Sequence, residues 1–483
     1  MQSPPRNYSS SSAELSTGKG HTSRRELLRA ALTGFSGLTL PGLYRLRELV
    51  GSTTDRRRTA IILVWLRGGA SHLETFDPKP LAPAEFRGPY KPIATNVPGI
   101  DICELLPRLS TIADKYAILR SVAHTAGNHP AGTLQILSGD TAAADKPRPI
   151  FPDWMTVASY LRPDQLGQLP NYVAVNPVDR YDNFQIAGPA FLGRSYEPFK
   201  VTGNPAEPQF EILGADINDK ERSNRLKQRD SLRNRLDKLG RRIEQAGEMI
   251  AWDTYQAQAL NLLISPQARV AFDLSQEPDE IREFYGRHQW GQQCLMARRL
   301  VEAGVEIVST EFDGPLCGRV ANWDDHAVNH HVFDAIKYRA PFFDQAISAL
   351  IEDIYARGLD QQVLVVVTGE FGRTPRISHV ASSGKGVASA SKGTVQPGRD
   401  HWPRANSMLF AGGGIRTGQV IGATDSLGED PVARRVSPRD FLATIYRHLE
   451  MENVGRAIFD RTGQATPILS AGKPISELAR TSG

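Results

Sequence analysis

The run Val363–Val367 (VLVVV) is continuously apolar and mostly β-branched, and it stops abruptly at Thr368-Gly369-Glu370. A stretch of that length and type is a strand buried on both faces, which calls for layers above and below a mostly parallel sheet. Ligands of open sheets of this kind bind beyond the carboxyl ends of the strands. Glu370, Arg373 and Arg376 therefore stand where chemistry is expected, and Arg399-Asp400-His401-Trp402 can return an imidazole to the same spot. A Glu–Arg salt bridge capping the strand end is the structural alternative.

The same grammar recurs along the chain. Ala60–Leu66 (AIILVWL) ends in Arg67-Gly68-Gly69-Ala70-Ser71-His72, with Glu74 and Asp77 just beyond. Tyr116–Val122 ends in His124, Thr125, Asn128 and His129, and Pro130 after an Asn cap opens a short helix that closes at Ser138-Gly139-Asp140. A helical stretch, Trp290–Ala303, feeds the strand Val305–Ser309, followed by Glu311, Asp313 and Asn322-Trp323-Asp324-Asp325-His326. A helix from about Val332 to Arg357 leads into the opening strand, and Ser407–Phe410 is a further strand. Ser437-Pro438-Arg439-Asp440 resembles a capping box for a last helix, Phe441–Leu449. This alternation predicts a three-layer α/β/α sandwich around a mostly parallel sheet, with its polar strand ends on one rim.

Between these elements, residues 141–215 are rich in proline and read as a decorated surface insertion. Lys220–Gln245 is densely charged with one apolar stripe, as in a long surface helix. The α/β domain is expected over 59–455, with 456–483 as a C-terminal tail. The first 58 residues carry ten Lys/Arg against four Asp/Glu, a net of +6, so the overall charge of +4 leaves −2 for the rest of the 483 residues. The basic character belongs to the leader, and the globular part has no nucleic-acid signature. Residues 1–22 are polar and read as disordered. Ser23-Arg24-Arg25-Glu26-Leu27-Leu28-Arg29, ahead of the mildly apolar Ala30–Leu43, resembles a twin-arginine signal, so export by the twin-arginine translocase to the periplasm or cell surface is expected. Cys103, Cys294 and Cys317 are too few and too scattered for a disulfide framework.

The polar strand ends collect His72 and Asp77; His124, Asn128 and His129; Asp324, Asp325 and His326; Glu370; and Asp400 and His401. Mixed imidazole and carboxylate ligands suit zinc, manganese or iron, whereas an all-oxygen set suits calcium or magnesium. His330, His331, His379 and His448 lack that placement and read as surface or packing residues. Arg373 and Arg399 could bind an anionic substrate through planar bidentate contacts, or simply pair with carboxylates on the rim.

Several phrases also resemble a known family. RGGASHLETFDPK, FRGPYKPIATNVPGIDICELLPRL, FDLSQEPDEIREFYGRH, CLMARRLVEAGVEIV, NWDDH, GEFGRTPRI and GRDHWP are similar to the exported bacterial family catalogued as domain of unknown function 1501. The resemblance runs from about Ala60 to Leu449 and implies membership of the alkaline-phosphatase/sulfatase superfamily, whose members hydrolyse phosphate and sulfate esters at metal sites. The sulfatase pattern Cys-x-Pro-x-Arg…Leu-Thr-Gly is matched by Asn128-His129-Pro130-Ala131-Gly132 and Leu137-Ser138-Gly139. Asn128 stands where the nucleophile would be, and Gly132 replaces the arginine. The superfamily's strand-end Asp-His pair is matched by Glu370-Phe371, and its Trp-Asp-Thr-His element by Trp323-Asp324-Asp325-His326.

The expectation is thus an exported hydrolase of sulfate or phosphate esters. Asp324, His326, Glu370 and His401, with His72, would hold a divalent metal (zinc, manganese, calcium or magnesium). A metal-bound hydroxide would attack the ester in place of a side chain. His124 or His129 would move protons, Asn128 or Thr125 would face the anion, and Arg373 and Arg399 would bind it. The alternative is an inactive relative that binds sulfated or phosphorylated polysaccharide. A scaffold acting through Lys220–Gln245 is a third reading.

Overall fold

The seven residues of Ala60–Leu66 are all buried, and their alternation divides the molecule. Ile62, Val64 and Leu66 enter one apolar core, and Ile61, Leu63 and Trp65 enter a second one on the opposite face. Such alternation follows from the period of two in an extended chain. The computed structural model describes residues 59–162, 169–208, 210, 266–316, 322–386, 388–451, 457–460 and 463–480.

Eight strands form the main sheet: β1 (Ala60–Leu66), β2 (Tyr116–Val122), β3 (Tyr172–Val175), β4 (Phe199–Val201), β5 (Ile307–Phe312), β6 (Val363–Thr368), β7 (Asn406–Gly412) and β8 (Gln419–Ile421). Their order in space is β8-β2-β7-β6-β1-β5-β3-β4. Every neighbouring pair is parallel except the two made by β7. The chain leaves β6 and stays at the rim through residues 369–405, so it re-enters the sheet from the same end and must run backwards.

Among the described residues, the helices of eight residues or more that flank the sheet are α1 (His129–Ser138), α2 (Trp154–Leu161), α3 (Gln289–Glu302), α4 (Val332–Ala356) and α5 (Pro438–His448). α3 and α4 cover the first core through Trp290, Leu295, Ile336, Phe343 and Ile347. α1, α2 and α5 cover the second through Ile136, Leu137, Trp154, Phe441 and Ile445. The expected capping box is present on α5, where Ser437 and Asp440 satisfy each other's backbone N–H groups. α1 ends at Gly139, whose φ of +71° is the left-handed cap that glycine adopts at low cost.

The proline-rich stretch departs from expectation. The described part of this stretch, residues 141–215, supplies β3, β4 and α2, so it is an edge of the sheet as well as decoration. The short runs Tyr172–Val175 and Phe199–Val201 are apolar enough to be enclosed, while Pro177 and Pro189 fall in the connections where no ladder hydrogen bond is lost. The tail is also anchored, with Ile458, Leu469, Ile475 and Leu478 buried in the second core. The leader and its paired arginines, the Lys220–Gln245 helix and Cys317 lie outside the described residues. Cys103 and Cys294 are buried free thiols. Among the described residues no helix is long and apolar enough to cross a membrane.

Candidate metal centre

In the sheet register Trp65 lies opposite Thr368 on one side and Glu311 on the other, so β1, β5 and β6 end level with one another. Beyond that level these ends converge. Arg67 and Gly68 follow β1, and Trp323 N–H donates to Arg67 C=O at 2.8 Å, which places the Asp324–His326 segment directly above. A Cβ at Gly68 would stand 2.6 Å from the Asp324 nitrogen, and its φ is +97°, so this close crossing requires glycine.

One oxygen of Asp324 is the focus. Its Oδ1 lies 3.3 Å from His129 Nε2, 3.0 Å from His326 Nε2, 3.2 Å from His401 Nε2 and 2.7 Å from the Arg373 guanidinium. His326 Nε2 and His401 Nε2 are 2.9 Å apart. The four ligand atoms of His129, Asp324, His326 and His401 all lie within 4.8 Å of one another.

What each ring does with its other nitrogen decides what this focus means. His129 Nδ1 meets Glu370 Oε1 at 2.6 Å, His326 Nδ1 meets Asp400 Oδ1 at 2.6 Å, and His401 Nδ1 meets the Gly127 carbonyl at 2.6 Å. Carboxylates and carbonyls accept, so each Nδ1 carries a proton, and each ring in its neutral form points an Nε2 lone pair at the focus. This is the orientation metal-ligating histidines take, held by acceptors behind the ring. Three lone pairs and a carboxylate oxygen facing one another repel unless a proton or a cation stands among them. His129 Nε2 is buried without a hydrogen-bond partner. Ligand atoms about 2.0–2.1 Å from a common centre are themselves roughly 2.9–3.4 Å apart, which the three spacings to Asp324 Oδ1 and the His326–His401 spacing match.

The charges respond accordingly. In the metal-free centre protons take the cation's place: burial raises the Asp324 carboxyl, but protons on the facing imidazoles and the Arg373 charge hold it well below the usual carboxylate range. Burial opposes a charged His326, yet Asp324 and Asp400 outweigh it and raise the ring to about 9. His129 is raised by Asp324 and Glu370 against burial. His401 is lowered, burial being the first cause and Arg373 and His129 adding to it.

The structure therefore brings Asp324, His326 and His401 together, and adds His129 to them as a fourth donor. Glu370 is not among the ligand atoms. It is fully enclosed one bond behind, where Oε1 takes the His129 Nδ1–H and the Gly68 N–H at 2.9 Å. His72 sits elsewhere, buried with Nε2 on the Gly428 carbonyl at 2.8 Å.

His124 is also fixed. Its Nδ1 accepts from Ala126 N–H and its Nε2 meets the Glu370 carbonyl at 2.7 Å, while burial lowers it to about 4. A ring with both nitrogens engaged and no charge near neutrality is a strut and not a proton carrier. Thr125 is exposed, but its hydroxyl accepts from Gln135 Nε2 at 2.9 Å, against the helix. Asn128 is exposed at the α1 N-cap and makes no side-chain cap bond.

Both arginines are occupied. Arg399 is completely buried and serves Glu74 at 2.6 Å along with the carbonyls of Phe86, Thr374 and Pro375. Arg373 holds Asp324 together with the carbonyls of Gly68, Gly69 and Arg399. Neither side chain is placed to receive a substrate.

Two departures from the sulfatase pattern turn out to be one. Phe371 is buried, 4.5 Å from the His401 ring and 5.2 Å from the His129 ring, so it packs behind two of the donors. A Cβ at Gly132 would stand 3.0 Å from the Phe371 ring. A longer side chain at 132 would press on the Phe371 ring, so the small residue makes room for the large one.

Sequence reasoning missed Tyr181. Its ring stacks on His129 with centroids 4.1 Å apart and planes 10° apart, and its hydroxyl is 3.4 Å from Asp324 Oδ2. It lies on a two-strand hairpin, Arg180–Tyr181 and Phe184–Gln185, inside the proline-rich stretch. Its only signal is an aromatic residue before Asp182-Asn183, a turn-forming pair.

The sequence model of the family described as "Protein of unknown function (DUF1501)" matches residues 58–479. The chain belongs to this family. No curated protein matches it in sequence. Among solved structures it is similar to a sulfatase from Pseudoalteromonas sp., at 10% identity over 88% of this chain and 72% of that one, with a TM-score of 0.34. It is also similar to phosphonate monoester hydrolases from Agrobacterium radiobacter (10% identity, 88% and 78% of the chains, TM-score 0.34) and Silicibacter pomeroyi (14%, 87% and 78%, 0.33).

Proposed function

We propose that this chain is a metal-dependent hydrolase of sulfate or phosphate esters, with Asp324, His129, His326 and His401 holding one divalent cation. The observation that carries the reading is the set of three Nδ1-anchored imidazoles aiming Nε2 at one carboxylate oxygen. Three nitrogen donors favour zinc, or another transition metal that accepts imidazole, over calcium and magnesium, which take oxygen. Such a cation would polarise an ester oxygen and acidify water near neutral pH.

The chain's own residues do the rest. Glu370, Asp400 and the Gly127 carbonyl hold the ring protons on Nδ1, so no donor turns away. Arg373 offsets the Asp324 charge without competing for the substrate. Asn128 has no nucleophilic atom and Thr125 is tied to Gln135, so the attacking group comes from solvent. Ester hydrolysis is taken from the motif correspondence, and the metal from the geometry. We also propose export through the twin-arginine leader, tested by following secretion when Arg24 and Arg25 are both replaced by Lys.

The test is elemental analysis of purified protein, followed by aryl sulfate and aryl phosphate panels. About one equivalent of a transition metal is expected, with turnover that Asp324→Asn removes together with the metal. Protein that takes up no zinc or manganese and turns over no ester would overturn the reading. The second reading, a binding protein for sulfated or phosphorylated polysaccharide, is favoured by Asn128 in the nucleophile's place. Retention on a sulfated polysaccharide column by metal-loaded protein inert toward every ester would select it.

A further inference from the structure

One wall of the cluster comes from the hairpin of Arg180–Tyr181 and Phe184–Gln185. Arg180, Asp182 and Asn183 are exposed, and only Tyr181, Phe184 and Gln185 are partly covered. From this hairpin Tyr181 lays its ring almost parallel to His129 at 4.1 Å. The Arg67 guanidinium lies 4.4 Å from the same ring's centroid. Arg67 is itself held by Glu311 at 3.3 Å and Asp313 at 3.4 Å, and it donates to the Arg180 carbonyl at 2.9 Å. A chain of contact thus runs from the rigid end of β1, through a guanidinium fixed by two carboxylates, to the hairpin and its phenol, and then to a donor ring.

We propose that Tyr181 is a positioning residue of the metal centre. Its ring fixes the plane of His129, and its hydroxyl steadies the outer oxygen of Asp324. This rests on the reading of His129, Asp324, His326 and His401 as ligands. The ring of His129 has one torsional freedom that its Nδ1 bond to Glu370 does not remove, namely tilt about that bond. A flat aromatic neighbour removes it. The hydroxyl contributes less, since 3.4 Å to Asp324 Oδ2 is longer than a full O–H···O hydrogen bond. The two contributions therefore separate by substitution. Support behind a ligating histidine is worth about 10–100-fold in metal affinity.

The experiment is competition for zinc against a chromophoric chelator, and absorption spectra of the cobalt-substituted full chain, for wild type, Tyr181→Phe and Tyr181→Ala. Tyr181→Phe should keep the stack, weaken zinc binding by about threefold or less, and leave the cobalt spectrum in place. Tyr181→Ala should weaken zinc by about 10–100-fold and broaden or shift the cobalt bands. Thermal melting of the metal-free forms should differ little, since the hairpin is at the surface. Wild type that binds zinc while Tyr181→Ala binds it equally tightly, with an unchanged cobalt spectrum, overturns the proposal and leaves the metal centre standing. Wild type that binds neither metal overturns the reading beneath it. Should Tyr181→Ala melt at much lower temperature, Tyr181→Phe decides: equal melting and a loss above tenfold would contradict the ordering of ring over hydroxyl.

Discussion

Two polar regions meet the same rim, one half-buried and one buried, and they are made of the same residue types. Around Asp324, three imidazoles turn Nε2 toward a carboxylate oxygen, and the Arg373 guanidinium also touches it. Around His72, each carboxylate meets a donor, while the ring keeps its Nδ1 buried without a partner. Glu74 takes Arg399 and the Ser71 hydroxyl, Asp77 takes Lys79 at 3.0 Å and Arg120 at 3.5 Å, and His72 Nε2 meets the Gly428 carbonyl. In the second region both carboxylates are paired with fixed donors, and it holds the loop after β1 onto the rim. The first stays open until a proton or a cation enters it. His, Asp and Glu at strand ends are therefore not the signature of a site. The signature is which ring nitrogen is tied down and where the other one points.

The comparison breaks most easily at Arg399. Replacing it with Leu leaves the Glu74 carboxylate, 1% exposed, without its cation. Loss of one partner from a buried pair costs about 3–5 kcal/mol. Urea unfolding of Arg399→Leu should show that loss, while metal bound per folded molecule stays as in wild type. A large drop in metal content with little loss of stability would return Arg399 to the site, where the sequence had suggested it could act on a substrate.

The difference between these regions also explains what could be read from the chain alone. The strands were legible because both faces of the sheet are covered, so Val363–Val367 and Ala60–Leu66 are apolar without interruption. Asp324, His326 and His401 stood out because each follows a buried strand and recurs in a family motif. His129 was legible as reactive but not as a ligand, because that depends on Glu370 binding its Nδ1. The same bond took Glu370 out of the ligand set. His72 and Arg399 carried the same strand-end placement, and only the direction of their hydrogen bonds separates them from the site. Tyr181 was hidden for another reason. It acts through a stacked face, which has no spacing rule, and it lies among prolines that read as surface decoration.

A smaller effect separates the regions by pH in the metal-free protein. His326 is raised from its ordinary value of 6.5 to about 9 because Asp324 and Asp400 outweigh burial. A raised basic group adds stability that is complete below about 6.5 and is lost as pH climbs through 9. With its side chain 23% exposed, solvent screening reduces the contribution to about 2 kcal/mol. His72 behaves in the opposite sense. Burial lowers it, so the fold favours its neutral form, and stability falls as pH drops below 6.5. Stability measured in chelator should decline from pH 6.5 to 9, and His326→Ala should remove that alkaline limb while leaving the acid one. An alkaline limb unchanged in His326→Ala would mean that the proton shared in this cluster resides on another ring.

The finest distinction falls on Glu370. If its carboxylate bound the cation directly, Glu370→Gln would cost as much metal affinity as Asp324→Asn. The geometry says otherwise. Oε1 already accepts from His129 Nδ1 and from Gly68 N–H, and Oε2 is buried without a partner. A glutamine keeps an acceptor oxygen in the Oε1 position and puts its amide nitrogen where no bond is lost. What disappears is the negative charge that makes His129 a better donor, an effect at the low end of the 10–100-fold range for groups behind a ligand. Zinc competition should therefore show about a tenfold weakening for Glu370→Gln, roughly 1.4 kcal/mol, beside a loss beyond 100-fold for Asp324→Asn. Equal losses for the two variants would move Glu370 into the ligand set and His129 out of it. The contrast between them measures how much of this centre is built by the residue that binds, and how much by the residue that aims it.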